Sequence, residues 1–165
     1  MYRLWAPWRM QYINDNQTEC GCIFCVKPQE DRDEENLIIY RGELSFIMLN
    51  IFPYNNGHLL VSPYRHIADL SLLNEEEQGD LLRLTTLGCD LLKATCFPHG
   101  FNVGMNLGQV AGAGIADHLH MHIVPRWSGD TNFMPVVSDT KVLPQALSDT
   151  YNALKSEITK RGGGQ

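Results

Sequence analysis

The stretch His118-Leu119-His120-Met121-His122-Ile123-Val124 decides how this chain is read. Successive side chains of a strand point to opposite faces. His118, His120 and His122 therefore share one face, while Leu119, Met121 and Ile123 bury on the other. Half of the chain's six histidines fall at this strict period of two, which marks a chemical face. One ion held by all three is strained, because a rise of about 3.3 Å per residue sets the Cα atoms of His118 and His122 roughly 13 Å apart. Nucleophilic catalysis fits better: the middle imidazole, His120, attacks phosphorus while its neighbours fix its tautomer.

Just before the histidines, Gly108-Gln109-Val110-Ala111-Gly112-Ala113-Gly114 offers backbone amides that could cradle a phosphate. It is not a P-loop, since no Gly-Lys-Ser/Thr follows. Further out, strands are expected at 37–40, 44–49, 58–61 and 101–107, with Pro53-Tyr54-Asn55-Asn56-Gly57 as the turn inside an antiparallel meander. Asn74 and Glu77 have capping-box spacing. Leu81, Leu82, Leu84, Leu87, Leu91 and Leu92 then form a helical stripe that Pro98 stops. A last helix near Pro144 carries Leu147, Tyr151, Leu154 and Ile158 on one face. Residues 31–36 read as a solvated charge run closing an irregular arm over 1–36, and 161–165 as a fraying tail. These elements predict one α+β domain over 1–165, with helices against an antiparallel sheet of about five strands.

The histidine segment matches the His-φ-His-φ-His-φ-φ signature, and the chain resembles the histidine triad (HIT) superfamily over roughly residues 20–155. His99 to Gly108 and Pro125-Arg126-Trp127…Gly129-Asp130…Asn132-Phe133 are similar to the branch of bacterial diadenosine tetraphosphate phosphorylases and Fhit-like hydrolases. The resemblance implies that His120 is the nucleophile, that His122 contacts phosphate and the leaving oxygen, and that the backbone of His118 orients His120. It also implies Asn50 on the ribose hydroxyls, His58 behind the triad, Asn106 with the Gly112–Gly114 amides on the phosphates, and Trp127 bordering the nucleotide. One departure stands out: many relatives carry Ser or Thr where this chain has Ile115.

Cys22-Ile23-Phe24-Cys25 is a C-x2-C pair able to hold tetrahedral zinc. His66, just after a strand, and His118 complete a Cys2His2 set like that of related branches; Cys20 is the substitute ligand. Four protein donors would leave the metal a structural part. Cys89 and Cys96 read as small buried apolar residues.

The 165 residues are 44% hydrophobic and 19% charged, with a net charge of −6. Wholesale disorder is excluded, and a general nucleic-acid or anionic-membrane binder lacks its basic footprint. No run of 18 apolar residues occurs, and the first ten residues lack the apolar core of a signal peptide. With five cysteines and no secretory signal, a reduced, cytoplasmic protein is expected. The expected activity is a nucleotidyl transferase or hydrolase acting on a dinucleoside polyphosphate, with water or phosphate as acceptor. Magnesium would ride in with the substrate, and the family implies a homodimer. The alternatives are a zinc-stabilised nucleotide-binding module with little turnover, a nucleoside phosphoramidate hydrolase, or metal-dependent hydrolysis on the histidine face.

Overall fold

The computed structural model describes residues 21–130 and 145–162. Cys20, Asn132, Phe133, Pro144, residues 163–165 and most of the expected N-terminal arm lie outside them. In chain order the elements are a single turn α1 (Ile23–Val26), β1 (Ile38–Arg41), β2 (Ser45–Leu49), β3 (Leu59–Pro63), the long helix α2 (Glu75–Cys96), β4 (Gly100–Met105), β5 (Met121–Arg126) and α3 (Leu147–Gly162). Short 3-10 turns occupy Lys27–Gln29, Leu70–Leu72 and Gln109–Ala111. The strands form one sheet in the order β1-β2-β3-β5-β4, every pair antiparallel. The meander β1-β2-β3 is joined by a short turn at 42–44 and a longer loop at 50–58. The crossover through α2 then carries β4 past β3, and β5 returns to fill the gap between them.

Both sheet faces are covered, which explains why β2 and β3 are buried along their whole length and show no apolar-polar alternation. Ile47, Leu49, Leu59, Val61, Leu119 and Ile123 point toward the helices, packing with Leu84, Leu91 and Leu92 of α2 and with Tyr151 and Leu154 of α3. Phe46, Met48 and Leu60 point the other way and pack under Phe24 of α1. Leu60 pairs with His122, so the histidine face is the one that α1 roofs. The expected irregular arm is thus helical over 23–29.

Asn74 and Glu77 form the reciprocal capping box, each side chain accepting from the other's amide. At the far end Phe97 takes a left-handed conformation (φ 49°) ahead of Pro98. Leu82 does not join the apolar stripe but is 64% exposed, one step off the buried face. Gly88 permits the closest approach of α2 to the sheet: a Cβ there would lie 2.7 Å from Ile123 Cδ1.

The histidine strand starts later than its alternation suggests. The ladder with β3 begins at Met121, opposite Val61. Beyond Ser62 the partner strand reaches Pro63, which has no N–H to offer. Instead Ser62 Oγ donates to Leu119 O (3.0 Å), and Leu119 N–H donates to Ile67 O (2.6 Å). The 31–36 run is more than a solvated loop: Asn36 is buried and donates to Glu30 (2.7 Å), and Arg41 donates to Asp33 (2.7 Å). At the C-terminus Arg161 and Gly162 stay helical, Arg161 bonding Glu157 and Asp90 O.

Candidate active site and metal centre

His118, His120 and His122 are all buried, and the bonds around each ring assign its tautomer. His120 Nδ1 lies 2.8 Å from the His118 carbonyl oxygen. An oxygen accepts only, so Nδ1 carries the proton and Nε2 keeps its lone pair. Burial lowers the pKa of His120, against the opposing pull of the His118 carbonyl. Burial prevails and favours a neutral imidazole, while the bond to the carbonyl leaves the lone pair on Nε2.

His122 is set by a second chain of bonds. The Tyr54 amide donates to His58 Nδ1 (3.0 Å), where Asn50 Nδ2 also approaches (3.3 Å). His58, fully buried, therefore holds its proton on Nε2 and donates it to His122 Nδ1 (3.0 Å). The proton of His122 consequently sits on Nε2. The two rings thus present opposite faces of imidazole chemistry, a lone pair on His120 and an N–H on His122, with ring centroids 4.9 Å apart.

His118 faces a different task. Its Nε2 donates to Pro63 O (2.9 Å), which leaves Nδ1 as an acceptor 3.3 Å from Cys22 Sγ and 3.4 Å from Cys25 Sγ. His66 Nδ1 lies 3.2 Å from His118 Nδ1 and 3.3 Å from Cys25 Sγ. All four donor atoms lie within 4.8 Å of one another, the one such group of His, Cys, Asp or Glu among the described residues. A tetrahedral zinc needs about 3.4 Å between nitrogens and about 3.6 Å between nitrogen and sulfur, given bonds of about 2.0–2.1 and 2.3 Å. The donor set and its spacing fit such an ion. Burial, then the neighbouring Cys22, pushes the Cys25 thiol up to about 11. Two adjacent thiolates need a cation between them. No carboxylate group among the described residues offers magnesium a comparable seat.

The remaining expected residues are distributed as follows. Asn50 directly follows β2 and accepts from Phe52 N–H (2.9 Å) beside His58. The β4–β5 ladder pairs Gly104 with His122 and ends at Met105 opposite Met121; Asn106 follows it, and its Nδ2 donates to Gly112 O (3.4 Å). The Gly112 amide is turned into its own loop, donating to Gln109 O (2.9 Å). This corrects the expectation of an amide free for phosphate there: Gly112 supplies the left-handed turn (φ 91°). Gly114 follows the buried Ala113, and the neighbouring Ile115 packs against the Phe24 cluster. Trp127 is not brought to the histidines in this chain. It follows β5 with the parity of the helix-facing residues, and its indole N–H donates to Cys96 O at the end of α2 (3.3 Å).

Two aromatic residues of the site escape a reading of the sequence. Phe24, between the two cysteines, packs 4.8 Å from the His120 ring and 5.3 Å from His118. Tyr54 stacks on His122 (5.7 Å, 16°) and lies 4.7 Å from His58. Nothing in periodicity marks either one, because each reaches the triad across the fold.

The sequence and the fold are similar to those of known proteins. Residues 31–129 match the family model of the HIT domain. A Mycobacterium tuberculosis protein named AP-4-A phosphorylase is 41% identical over 168 residues, covering 98% of this chain and 86% of that protein. An adenosine 5'-monophosphoramidase of Schizosaccharomyces pombe is 35% identical over 64% of this chain and 74% of its own length. Among solved structures, a zinc-bound histidine triad family protein from Mycobacterium smegmatis superposes with a TM-score of 0.68 at 21% identity, covering 88% of this chain and 98% of the other. With the domain match spanning most of the described residues and the three histidines on one buried face, the chain belongs to the HIT family.

Proposed function

We propose that this protein cleaves a dinucleoside polyphosphate, such as diadenosine tetraphosphate, through a transient nucleotidyl bond to His120. The observation that carries the reading is the bond from His120 Nδ1 to the His118 carbonyl, which aims a bare Nε2 at the substrate. The Nε2 lone pair attacks the α-phosphorus, and the P–O bond to the leaving polyphosphate breaks. His122, with its proton on Nε2, donates a hydrogen bond to the leaving oxygen. An oxygen of inorganic phosphate or water then attacks the same phosphorus, and the P–N bond breaks with its electron pair returning to His120 Nε2. Holding the reactants and offering fixed donors to the developing charge supplies most of the acceleration. Asn106 and the chain around Gly114 hold the phosphates, and Asn50 holds the ribose. The 41% identity to AP-4-A phosphorylase supports an adenine dinucleotide and favours phosphate as acceptor.

Zinc is the metal we assign to Cys22, Cys25, His66 and His118. With its four-donor shell closed it carries no substrate and ties α1 to the histidine segment. The open edge of β4, where Asn102, Val103 and Gly104 are exposed, supports a homodimer joined along the sheet. The free cysteines support a reducing, cytoplasmic setting. No described helix is long and apolar enough to cross a membrane.

Product analysis with labelled phosphate tests the activity. Wild-type protein should give ADP and ATP carrying the label in ADP, and a sample quenched in alkaline denaturant should carry AMP on His120. His120→Ala should keep its fold and nucleotide affinity and lose turnover by at least about 10³-fold. Undiminished turnover in that variant would refute the mechanism.

A further inference from the structure

Neither the turn Pro53–Gly57 nor the segment Pro125–Asp130 contributes a side chain that performs the chemistry, yet the two are bolted together. Asn55 Nδ2 donates to Pro125 O (3.0 Å) and to Asp130 Oδ2 (2.8 Å). The Asp130 carboxylate, only 8% exposed, is gripped by Arg126 through both oxygens (2.5 and 2.9 Å) and accepts from the Trp127 amide (3.3 Å). Arg126 in turn donates to Asn102 on β4 (2.7 Å). Arg126 lies on β5, the strand that carries His122. The turn is therefore indexed to the strand holding the triad, and the residue it presents there is Tyr54. The Tyr54 amide sets the tautomer of His58, and its ring lies parallel to His122.

We propose that Asn55, anchored on Asp130, is a positioning residue for His122: it holds Tyr54 where the amide and the ring together keep the His122 Nε2–H aimed at the leaving atom. The inference rests on nucleotidyl transfer to His120 and deepens it. With a phosphoramidate the His120 Nε2–P bond forms and the P–N bond to the leaving amine breaks. The electron pair stays on that nitrogen, which takes a proton from a water molecule, leaving hydroxide, while the His122 Nε2–H holds it by a hydrogen bond. With a p-nitrophenyl ester the phenolate leaves as a stable anion and needs no proton. Loosening the turn should thus slow the first substrate selectively, whereas general damage to fold or binding slows both.

The test compares kcat and KM for adenosine 5'-phosphoramidate and for the p-nitrophenyl ester of AMP in wild type and Asn55→Ala. The ratio of the two kcat values should shift about tenfold or more against the phosphoramidate, with KM for both nearly unchanged. Asn55→Asp, which keeps the shape and sets a second carboxylate against Asp130, should shift the ratio the same way and serves if the alanine variant fails to fold. Equal losses on both substrates, or no change on either, would overturn the inference. Wild-type protein that forms no adduct on His120 with either substrate or with diadenosine tetraphosphate would instead refute the parent mechanism, and the inference with it.

Discussion

Replacing Glu77 by glutamine isolates one ion pair that supports the metal centre from a distance. Glu77 is buried at the N-terminus of α2, where Arg65 donates to both carboxylate oxygens (2.8 and 2.6 Å), and Arg65 directly precedes the ligand His66. Glutamine keeps an acceptor for the Asn74 amide, so the capping box survives while the charge is lost. Arg65, then the Asn74 amide, holds the Glu77 carboxyl down at about 2 from an ordinary 4.5. Taken alone that shift is worth about 3 kcal/mol. The Arg65 side chain is 49% exposed, and solvent screening there reduces the figure to about 1–2 kcal/mol.

The folded-state pKa is depressed, so the stabilisation is complete above about pH 4.5 and disappears as pH falls toward 2. At an unfolding entropy of about 2.1 cal/mol/K per residue, the variant should melt about 3–6 °C below wild type at pH 7. Melting curves by circular dichroism at pH 7, 5, 3.5 and 2.5 should show this gap intact at pH 5, smaller at 3.5 and nearly closed at 2.5. A gap that is equally wide at pH 7 and pH 2.5, or absent at pH 7, would refute the argument.

Cys22→Ser should reduce bound metal from one equivalent per chain to well below it and lower the melting temperature before it lowers kcat per metal-loaded chain; elemental analysis beside thermal melts reads both. Wild type that copurifies with no metal would remove the zinc assignment. Gly88→Ala adds a methyl 2.7 Å from Ile123 Cδ1 and 3.4 Å from Leu59 Cδ1. Overpacking costs about 1–3 kcal/mol and the helix-propensity gain returns about 1, so a net loss of up to about 2 kcal/mol is expected in urea unfolding. A variant more stable than wild type would show that the α2–sheet contact yields freely.

Periodicity made the helices and the faces legible. Leu119, Met121 and Ile123 alternate with the histidines because a pleated strand has only two sides, and the sequence therefore determined which residues face the chemistry. The Asn74–Glu77 box was readable because a cap is a local interaction, complete within four residues. The C-x2-C pair was readable for the same reason. The order of the strands, with β5 entering between β3 and β4, was not legible, since nothing local records which edge a returning strand will meet.

Tertiary structure alone decided the tautomers. His120 and His122 are the same residue two positions apart, yet one presents a lone pair and the other an N–H. The difference arises because His120 bonds the carbonyl of His118, while His122 accepts from His58, 64 residues away. The division of labour within the triad is likewise long-range: His118 is turned toward Cys22, Cys25 and His66 by its bond to Pro63 O. Residue identity sets which protonation states an imidazole can adopt, but hydrogen-bond partners select among them, and those partners meet only when the chain has folded.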